Sequence, residues 1–191
     1  MWQRPRLKSP DAGLAVTRVT MDIEELFALG LRVGDKLVAR NETVAVAESS
    51  AGGLVSAALL ARAGASAYYF GGAVLYTRRS RRLLTTLTAE DTNGMRSSSL
   101  PWAKLLASHQ RSRFKASWGL AETGAAGPAG NTYGDPAGHT CLAVDGPIPR
   151  EHMLHTGHGD RPVNMLAFAT AALELLEAAL DAAPAVGVDP K

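Results

Sequence analysis

The segment Thr43 to Arg62 constrains the fold most, because its hydrophobic pattern changes period at a pair of glycines. A β-branched and apolar run ends at Glu48, and an alanine- and leucine-rich segment with helical spacing follows Gly52 and Gly53. This pattern predicts a strand, a tight turn and a helix. In open α/β sheets, ligands bind beyond the carboxyl ends of strands, where a helix N-terminus offers unpaired N–H groups.

The residues of this turn suit either a binding site or a helix cap. Gly52 and Gly53 let the backbone approach an anion closely, and Ser49 and Ser50 place hydroxyl groups beside it. Serine and glycine are also ordinary cap and turn residues. Glu48 has the same two interpretations, because its carboxylate can belong to a site or can cap backbone N–H groups. The turn alone leaves both functions open.

The composition favours one domain without disulfide bonds. A chain of 191 residues can bury about two-thirds or more of its unfolded surface. The single cysteine, Cys141, has no partner within the chain, which favours a reducing compartment and a cytoplasmic location. Twenty lysines and arginines nearly balance eighteen acidic residues. The whole chain therefore lacks the basic excess of a nucleic-acid-binding protein, and no such partner is expected.

The sequence predicts no membrane-spanning segment and no secretory signal. The most hydrophobic helix candidate, Val163 to Ala183, carries three acidic side chains, Glu174, Glu177 and Asp181. The first ten residues are basic, but they lack the apolar segment of a signal peptide. Residues 1–20 are expected to form a flexible extension and residues 184–191 a frayed tail, on either side of one domain at residues 21–183.

Helical and strand patterns alternate along this domain. Five helices are predicted: 21–39, the segment after Gly53, a helix that begins with the basic segment after Thr77, 100–115 and 163–183. The first of them can be bent or broken near residues 30–34. The predicted strands are 43–47, 67–76, 116–121, 138–144 and 153–156. Strands that follow one another at short spacing require antiparallel pairing. We therefore predict an α/β/α sandwich with a mixed sheet.

A second glycine-rich segment, residues 122–130, follows the strand candidate at 116–121. Like the turn at 48–53, it places glycines and a hydroxyl directly after a predicted strand. If these two strands are parallel neighbours, both loops gather at one edge of the sheet. The basic cluster from Arg78 to Arg82 suits a solvated helix face or a site for a ligand phosphate better than a nucleic-acid contact. His152, His155 and His158 lack the carboxylates or cysteines that would complete a metal site.

Four motifs together carry a family resemblance: AESSAGG (47–53), GASAYYFGGAVLY (64–76), AETGAAGPAGN (121–131) and GDR (159–161). In this order and at these spacings, residues 21–183 resemble the C-terminal domain family of the competence/damage-inducible protein CinA. Members of that family include nicotinamide mononucleotide deamidases. The resemblance implies a CinA C-terminal-like fold and the hydrolysis of a carboxamide, with a small nucleotide as the substrate and without a cofactor or a metal ion.

The resemblance also assigns roles to individual residues. Ser49 matches the family's nucleophilic serine, and Tyr76 matches a tyrosine that works with it. Thr123 and Arg161 match residues that are expected to hold the substrate. The further substrate-binding predictions are Glu48, Ser50, Gly52, Gly53, Gly124 and Gly127. Backbone N–H groups near the glycine pair at 52–53 are expected to bind the oxyanion, and the loop at 123–130 is expected to bind the 5′-phosphate with Arg161.

Arg81 occupies the position of the family's catalytic lysine. A lysine with a lowered pKa can accept the serine proton, whereas an arginine stays charged and cannot. Arg81 could still bind a phosphate or stabilise an oxyanion, and the base is then expected to be Tyr76 or Glu48. Two hypotheses follow: an active amidohydrolase, or a family member that binds a nucleotide or a protein without turnover. A homo-oligomer, most simply a twofold dimer, is expected in either case.

Overall fold

Five strands form one mixed sheet in the computed structural model, which describes residues 22–184. The strands are β1 (Val44–Glu48), β2 (Tyr69–Val74), β3 (Trp118–Ala125), β4 (His139–Asp145) and β5 (Arg150–His155). Their order across the sheet is β2-β1-β3-β4-β5. The central strand β1 pairs in parallel with both β2 and β3, and the pairs β3–β4 and β4–β5 are antiparallel. The predicted α/β class with a mixed sheet is confirmed.

Six α-helices lie between or beside these strands within residues 22–184. They are α1 (Ile23–Ala39), α2 (Leu54–Leu60), α3 (Arg78–Leu84), α4 (Ala89–Thr92), α5 (Leu100–Phe114) and α6 (Arg161–Ala182). All except α2 begin at a side chain that accepts a hydrogen bond from a backbone N–H of the first turn, namely Asp22, Thr77, Thr88, Ser99 and Asp160. Such caps satisfy N–H groups that have no partner inside the helix, and they fix where each helix starts.

The two faces of the sheet bury side chains of different size. Val44, Val46 and Leu120 face a core built with α1, α2 and α6. Ala47 and Ala121 face the other side, where α5 packs directly on the sheet. Small residues on this second face let α5 approach closely, because shorter side chains allow a shorter distance between layers. The result is an α/β/α sandwich, as the sequence predicts.

Helix α6 is long and apolar enough to cross a membrane by length and composition alone, with a mean hydropathy of 1.5. Half of its apolar window is buried inside the protein. Phe168, Leu173 and Leu176 are completely buried in the core that α6 shares with α1, α2 and the sheet. The apolar composition of α6 therefore serves core packing.

The structure differs from the sequence-based expectation in two places that matter for the site. Strand β3 continues to Ala125 and so includes residues 122–125, which were expected in a loop, because their pairing with β4 continues past the end of β1. Helix α1 runs without a break through Gly30 and Gly34. The predicted extension at 1–20 and nearly all of the predicted tail lie outside the described residues.

The glycines of α1 are explained by close contacts. A Cβ atom on Gly30 would lie 2.2 Å from the carbonyl oxygen of Ala58 in α2, and one on Gly34 would lie 2.6 Å from the Tyr68 hydroxyl. Both distances are shorter than any normal contact. Gly30 and Gly34 therefore permit α1 to pack against the α2 region rather than interrupt the helix.

Replacing Gly30 with alanine is expected to lower the free energy of unfolding by about 1–3 kcal/mol, since α1 and α2 must separate to admit the methyl group. Urea denaturation followed by circular dichroism measures this change. The matched control is Ala28→Ser, which adds one heavy atom on the exposed side of α1 and should change stability by less than about 0.5 kcal/mol. Equal stability of Gly30→Ala and the wild type would contradict the proposed close packing.

Candidate functional site

The carboxyl ends of three strands meet at one edge of the sheet. Ala47 of β1 lies opposite Ala121 of β3 in a parallel pair, and Glu48 lies opposite Val74 of β2. The segments that continue from these positions therefore start side by side. They contain Ser49 after β1, Tyr76 after β2 and the glycine-rich segment from 122 onward. This arrangement places the two loops at one edge, as expected for ligand sites in open α/β sheets.

A cleft of about 530 Å³ opens at this edge. Its volume lies within the range typical of small-molecule sites. The cleft is lined by most of the predicted site residues, Ser49, Ser50, Tyr76, Arg81, Thr123, Gly124, Gly127 and Arg161, together with Ser97, Ser98, residues 125–126, residues 128–132 and Tyr133. The fold thus brings together residues that lie on five separate segments of the chain.

Glu48, Gly52 and Gly53 do not line the cleft, and their polar groups are used inside the protein. The Glu48 carboxylate is buried and accepts hydrogen bonds from the N–H groups of Gly53 at 2.8 Å, Val55 at 3.2 Å and Ser56 at 3.1 Å. It thereby caps α2, which lacks a capping side chain of its own. The Gly52 N–H donates to the Ser49 carbonyl at 3.2 Å. The structure thus places the Glu48 carboxylate in its capping role and leaves neither glycine N–H free for an oxyanion.

A second buried carboxylate, Glu122 of the neighbouring strand β3, binds residues 49–51, which we call the serine turn. One of its oxygens accepts the N–H groups of Ser49 and Ala51, each at 2.9 Å. The other oxygen accepts the hydroxyls of Ser50 at 2.5 Å and Thr140 at 3.0 Å. Ser50 therefore points its hydroxyl toward Glu122, although the residue also lines the cleft. The half-buried Ser49 is left as the serine whose hydroxyl has no role in this network.

Arg161, the first residue of α6, joins two sides of the cleft. Its Nη1 donates to the Gly127 carbonyl at 2.8 Å, and its Nη2 donates to the Tyr76 hydroxyl at 3.0 Å. The guanidinium also lies 5.6 Å from the centroid of the Tyr76 ring. A cation is therefore fixed between the glycine-rich loop and the tyrosine, where an anionic group of a ligand could bind.

Comparison with known proteins then decides the family. The family model of the CinA C-terminal domain matches residues 27–180. This chain belongs to the CinA C-terminal domain family. The chain is 39% identical over 145 residues to a CinA-like protein from Anaeromyxobacter sp. (strain K), which covers 76% of this chain and 36% of that protein. It is 35% identical over 181 residues to a CinA-like protein from Anaeromyxobacter dehalogenans (strain 2CP-C), covering 90% and 44%.

Solved structures of the CinA superfamily share this fold. The CinA superfamily protein KP700603 from Klebsiella pneumoniae 700603 superposes with a TM-score of 0.75 at 26% identity, covering 82% of this chain and 98% of that chain. The competence/damage-inducible protein CihA from Agrobacterium tumefaciens superposes with a TM-score of 0.74 at 30% identity, covering 81% and 94%. This CinA domain thus spans nearly all of these structures but less than half the length of the curated relatives above.

Arg81 of this CinA domain is fixed beside the cleft. Its Nη1 donates to the Ser97 hydroxyl at 2.6 Å, and its guanidinium lies 5.4 Å from the centroid of the Trp102 ring. Burial lowers the pKa of Arg81 from its ordinary value, but a guanidinium remains charged throughout the physiological range. Arg81 therefore brings a permanent cation to the position of the family's lysine.

The sequence analysis did not identify Ser97, Ser98, Tyr133 or Glu122 as site residues. Ser98 has a positive φ of 56° and donates its N–H to the Thr123 hydroxyl at 3.3 Å. Ser98 lies in the loop between α4 and α5, and no local sequence pattern predicts its conformation. Glu122 did carry a signal, since it lies in an apolar strand pattern and a buried carboxylate requires donors.

The Glu122 network predicts a specific pH dependence of stability. Burial raises the pKa of Glu122 above its ordinary value of 4.5, although the donors at Ser50, Ala51 and Ser49 oppose this shift. A raised pKa means that the contribution to stability is complete below the unfolded-state value and is lost as the pH rises through the folded-state value. The wild type should therefore lose stability from about pH 4.5 upward relative to Glu122→Gln, which cannot ionise.

Urea denaturation at several pH values tests this prediction. The Glu174→Gln variant, which alters an exposed carboxylate on α6, is the control and should follow the wild type. A Glu122→Gln profile parallel to that of the wild type between pH 4 and pH 8 would show that Glu122 has no shifted titration.

Proposed function

We propose that this CinA domain hydrolyses the carboxamide of nicotinamide mononucleotide to a carboxylate and releases ammonia. One observation supports the proposal most strongly. Ser49, Tyr76, Arg81, Thr123 and Arg161, which match the family's site positions, all line a single cleft. Ser49, the tyrosine and a cation there are the residue types that an acyl-transfer reaction requires.

Ser49 is the proposed nucleophile. Its N–H is held by Glu122 and its carbonyl by the Gly52 N–H, so the residue is fixed by its backbone while its side chain borders the cleft. The Ser49 oxygen would attack the carboxamide carbon, the C–N bond would break, and the nitrogen would leave as ammonia after taking up a proton. Water would then cleave the acyl-enzyme and regenerate the serine.

Tyr76 is the proposed base. Arg81 cannot accept a proton, and the Glu48 carboxylate faces the start of α2 instead of the cleft. Tyr76 lines the cleft, and Arg161 donates to its hydroxyl at 3.0 Å. A negative charge that forms on the phenolic oxygen would therefore lie beside a cation.

The remaining cations divide between the oxyanion and the phosphate. Since the N–H groups of Gly52 and Gly53 are engaged, the oxyanion would be stabilised by Arg81, which is already fixed by Ser97. The glycine-rich loop with Arg161 would bind the 5′-phosphate, because Arg161 is anchored to Gly127 of that loop.

A second candidate function is nucleotide binding without turnover. The observation that favours it is the identity of Arg81, a side chain that holds a charge but cannot exchange a proton. The cleft would then still bind the nucleotide through Arg161 and Thr123. Ammonia release and binding separate the two candidates when both are measured on the same protein.

We further propose a cytoplasmic homodimer. The only cysteine, Cys141, is buried and unpaired, which suits a reducing compartment. Helix α1 exposes Ile23, Phe27 and Leu31 on its outer side, and a twofold contact through this helix would cover them. The oligomeric state follows from sedimentation velocity of the wild type and of a Phe27→Glu variant, which should be monomeric.

The serine mechanism predicts that Ser49→Ala lowers ammonia release from nicotinamide mononucleotide by at least about a thousandfold, because the nucleophile is removed. Arg81→Lys should retain or increase the rate, since it restores a residue that can accept a proton. Ser112→Ala and Arg79→Lys change exposed side chains outside the cleft and serve as controls. Calorimetric titration with the nucleotide measures binding for each variant.

Each result has a distinct meaning. An unchanged rate in Ser49→Ala would exclude Ser49 as the nucleophile. A wild type that binds the nucleotide and releases no ammonia would support binding without turnover, and ammonia release that appears only in Arg81→Lys would identify the arginine as the cause.

A further inference from the structure

A second cavity of about 590 Å³ adjoins the cleft. We name it the arginine chamber, and its lining includes Arg78, Arg82, Thr85, Thr88 and Trp102. Arg81, Ser97 and Tyr133 line both the chamber and the cleft, and we call these three residues the neck. A ligand longer than a mononucleotide could therefore extend from the cleft into the chamber.

The chamber is positively charged. Arg78, Arg81 and Arg82 project from α3 at spacings of three and four residues, which places them on one face of the helix. No acidic side chain lines the chamber, and within residues 22–184 none of these three arginines forms an ion pair. Three cations without anionic partners around one cavity favour an anionic ligand.

The neck offers hydrogen-bond donors beside these cations. The Ser97 hydroxyl lies 2.6 Å from Nη1 of Arg81 and 3.4 Å from the Tyr133 hydroxyl. The hydrogen bond with Ser97 and the nearby arginines lower the pKa of Tyr133, and Arg78 lines the chamber together with Tyr133. Guanidinium groups and hydroxyls that lie side by side suit a phosphate group.

The wall beyond the neck suits a nucleoside. Leu87 and Met95 supply apolar surface against which a base could pack, above the buried Trp102. Thr85, Thr88 and Thr92 add polar groups to the same wall. This mixture of apolar surface and a few polar groups is typical of sites for small organic ligands.

We propose that the arginine chamber is a subsite for the second phosphate and the second nucleoside of a dinucleotide. The phosphate of the first nucleotide stays at Arg161, and the second phosphate contacts Arg78 and Arg82 in the chamber. That the first half of the ligand is a pyridine mononucleotide rests on the proposed function. The chamber itself does not depend on that function, because its charge and lining arise from α3, α4 and α5.

Calorimetric titration with three probes tests this subsite. The probes are nicotinamide mononucleotide, adenosine diphosphate, and nicotinamide adenine dinucleotide, which contains both halves. The wild type is expected to bind the dinucleotide at least about tenfold more tightly than the mononucleotide, because the added phosphate contacts two further arginines and the added nucleoside contacts the wall of the chamber. Adenosine diphosphate should bind and should compete with the dinucleotide.

Variants of α3 assign this preference to the chamber. Arg78→Gln and Arg82→Gln should each lower the ratio of dinucleotide affinity to mononucleotide affinity to about threefold or less. The matched control is Arg79→Gln, an arginine of the same helix that lines neither cavity, and it should keep the wild-type ratio. Thermal unfolding of each variant verifies that the fold is retained.

Equal affinities of the wild type for the dinucleotide and the mononucleotide would overturn the subsite, as would an equal loss of the ratio in Arg79→Gln. Ammonia release is measured separately on the same samples. A chain that keeps the affinity ratio and binds adenosine diphosphate but releases no ammonia supports the subsite and contradicts only the proposed hydrolysis.

Discussion

The hydrogen bonds of the buried Glu122 carboxylate are the interaction on which the site depends most. Glu122 belongs to β3, but its acceptor oxygens hold the N–H groups of Ser49 and Ala51 in the turn after β1. A carboxylate without donors would be costly in the interior, so the turn and the strand stabilise each other. The position of Ser49 is consequently set by the pairing of two parallel strands rather than by the turn alone.

Glu48 fixes the other end of the same turn. Its carboxylate accepts the first N–H groups of α2, whereas Glu122 accepts those of Ser49 and Ala51, so the turn from 49 to 53 is held at both ends. The Ser49 side chain is not held by either carboxylate. It borders the cleft, whose cations Arg81 and Arg161 belong to α3 and α6. The site therefore combines a serine whose backbone is fixed with a positively charged rim.

The sequence predicted the sheet, five of the six helices and most of the cleft, because those features depend on hydrophobic period and on motifs that follow strands. The short helix α4 was not predicted, since its four residues carry no periodic pattern. It did not predict that Glu122 lies within β3 and binds the serine turn, since this contact joins residues far apart in the chain. Gly30 shows the same limit. A glycine in a helix suggests a break, whereas its close contact with Ala58 becomes visible only when α1 and α2 are packed together. Ser97 and Tyr133 enter the site through loops whose conformations have no periodic signal.

Helix α3 lies at the surface, whereas the serine turn is bound by a buried carboxylate. None of its seven residues, Arg78 to Leu84, is buried, and Arg81 reaches inward only to Ser97 and Trp102. Substitutions on an exposed helix usually change stability little. Selection can therefore alter the arginines of α3 almost independently of the folding of the core. The position of Ser49 is thus tied to the core of the fold, whereas the charge of Arg81 beside the cleft depends on one short helix at the surface.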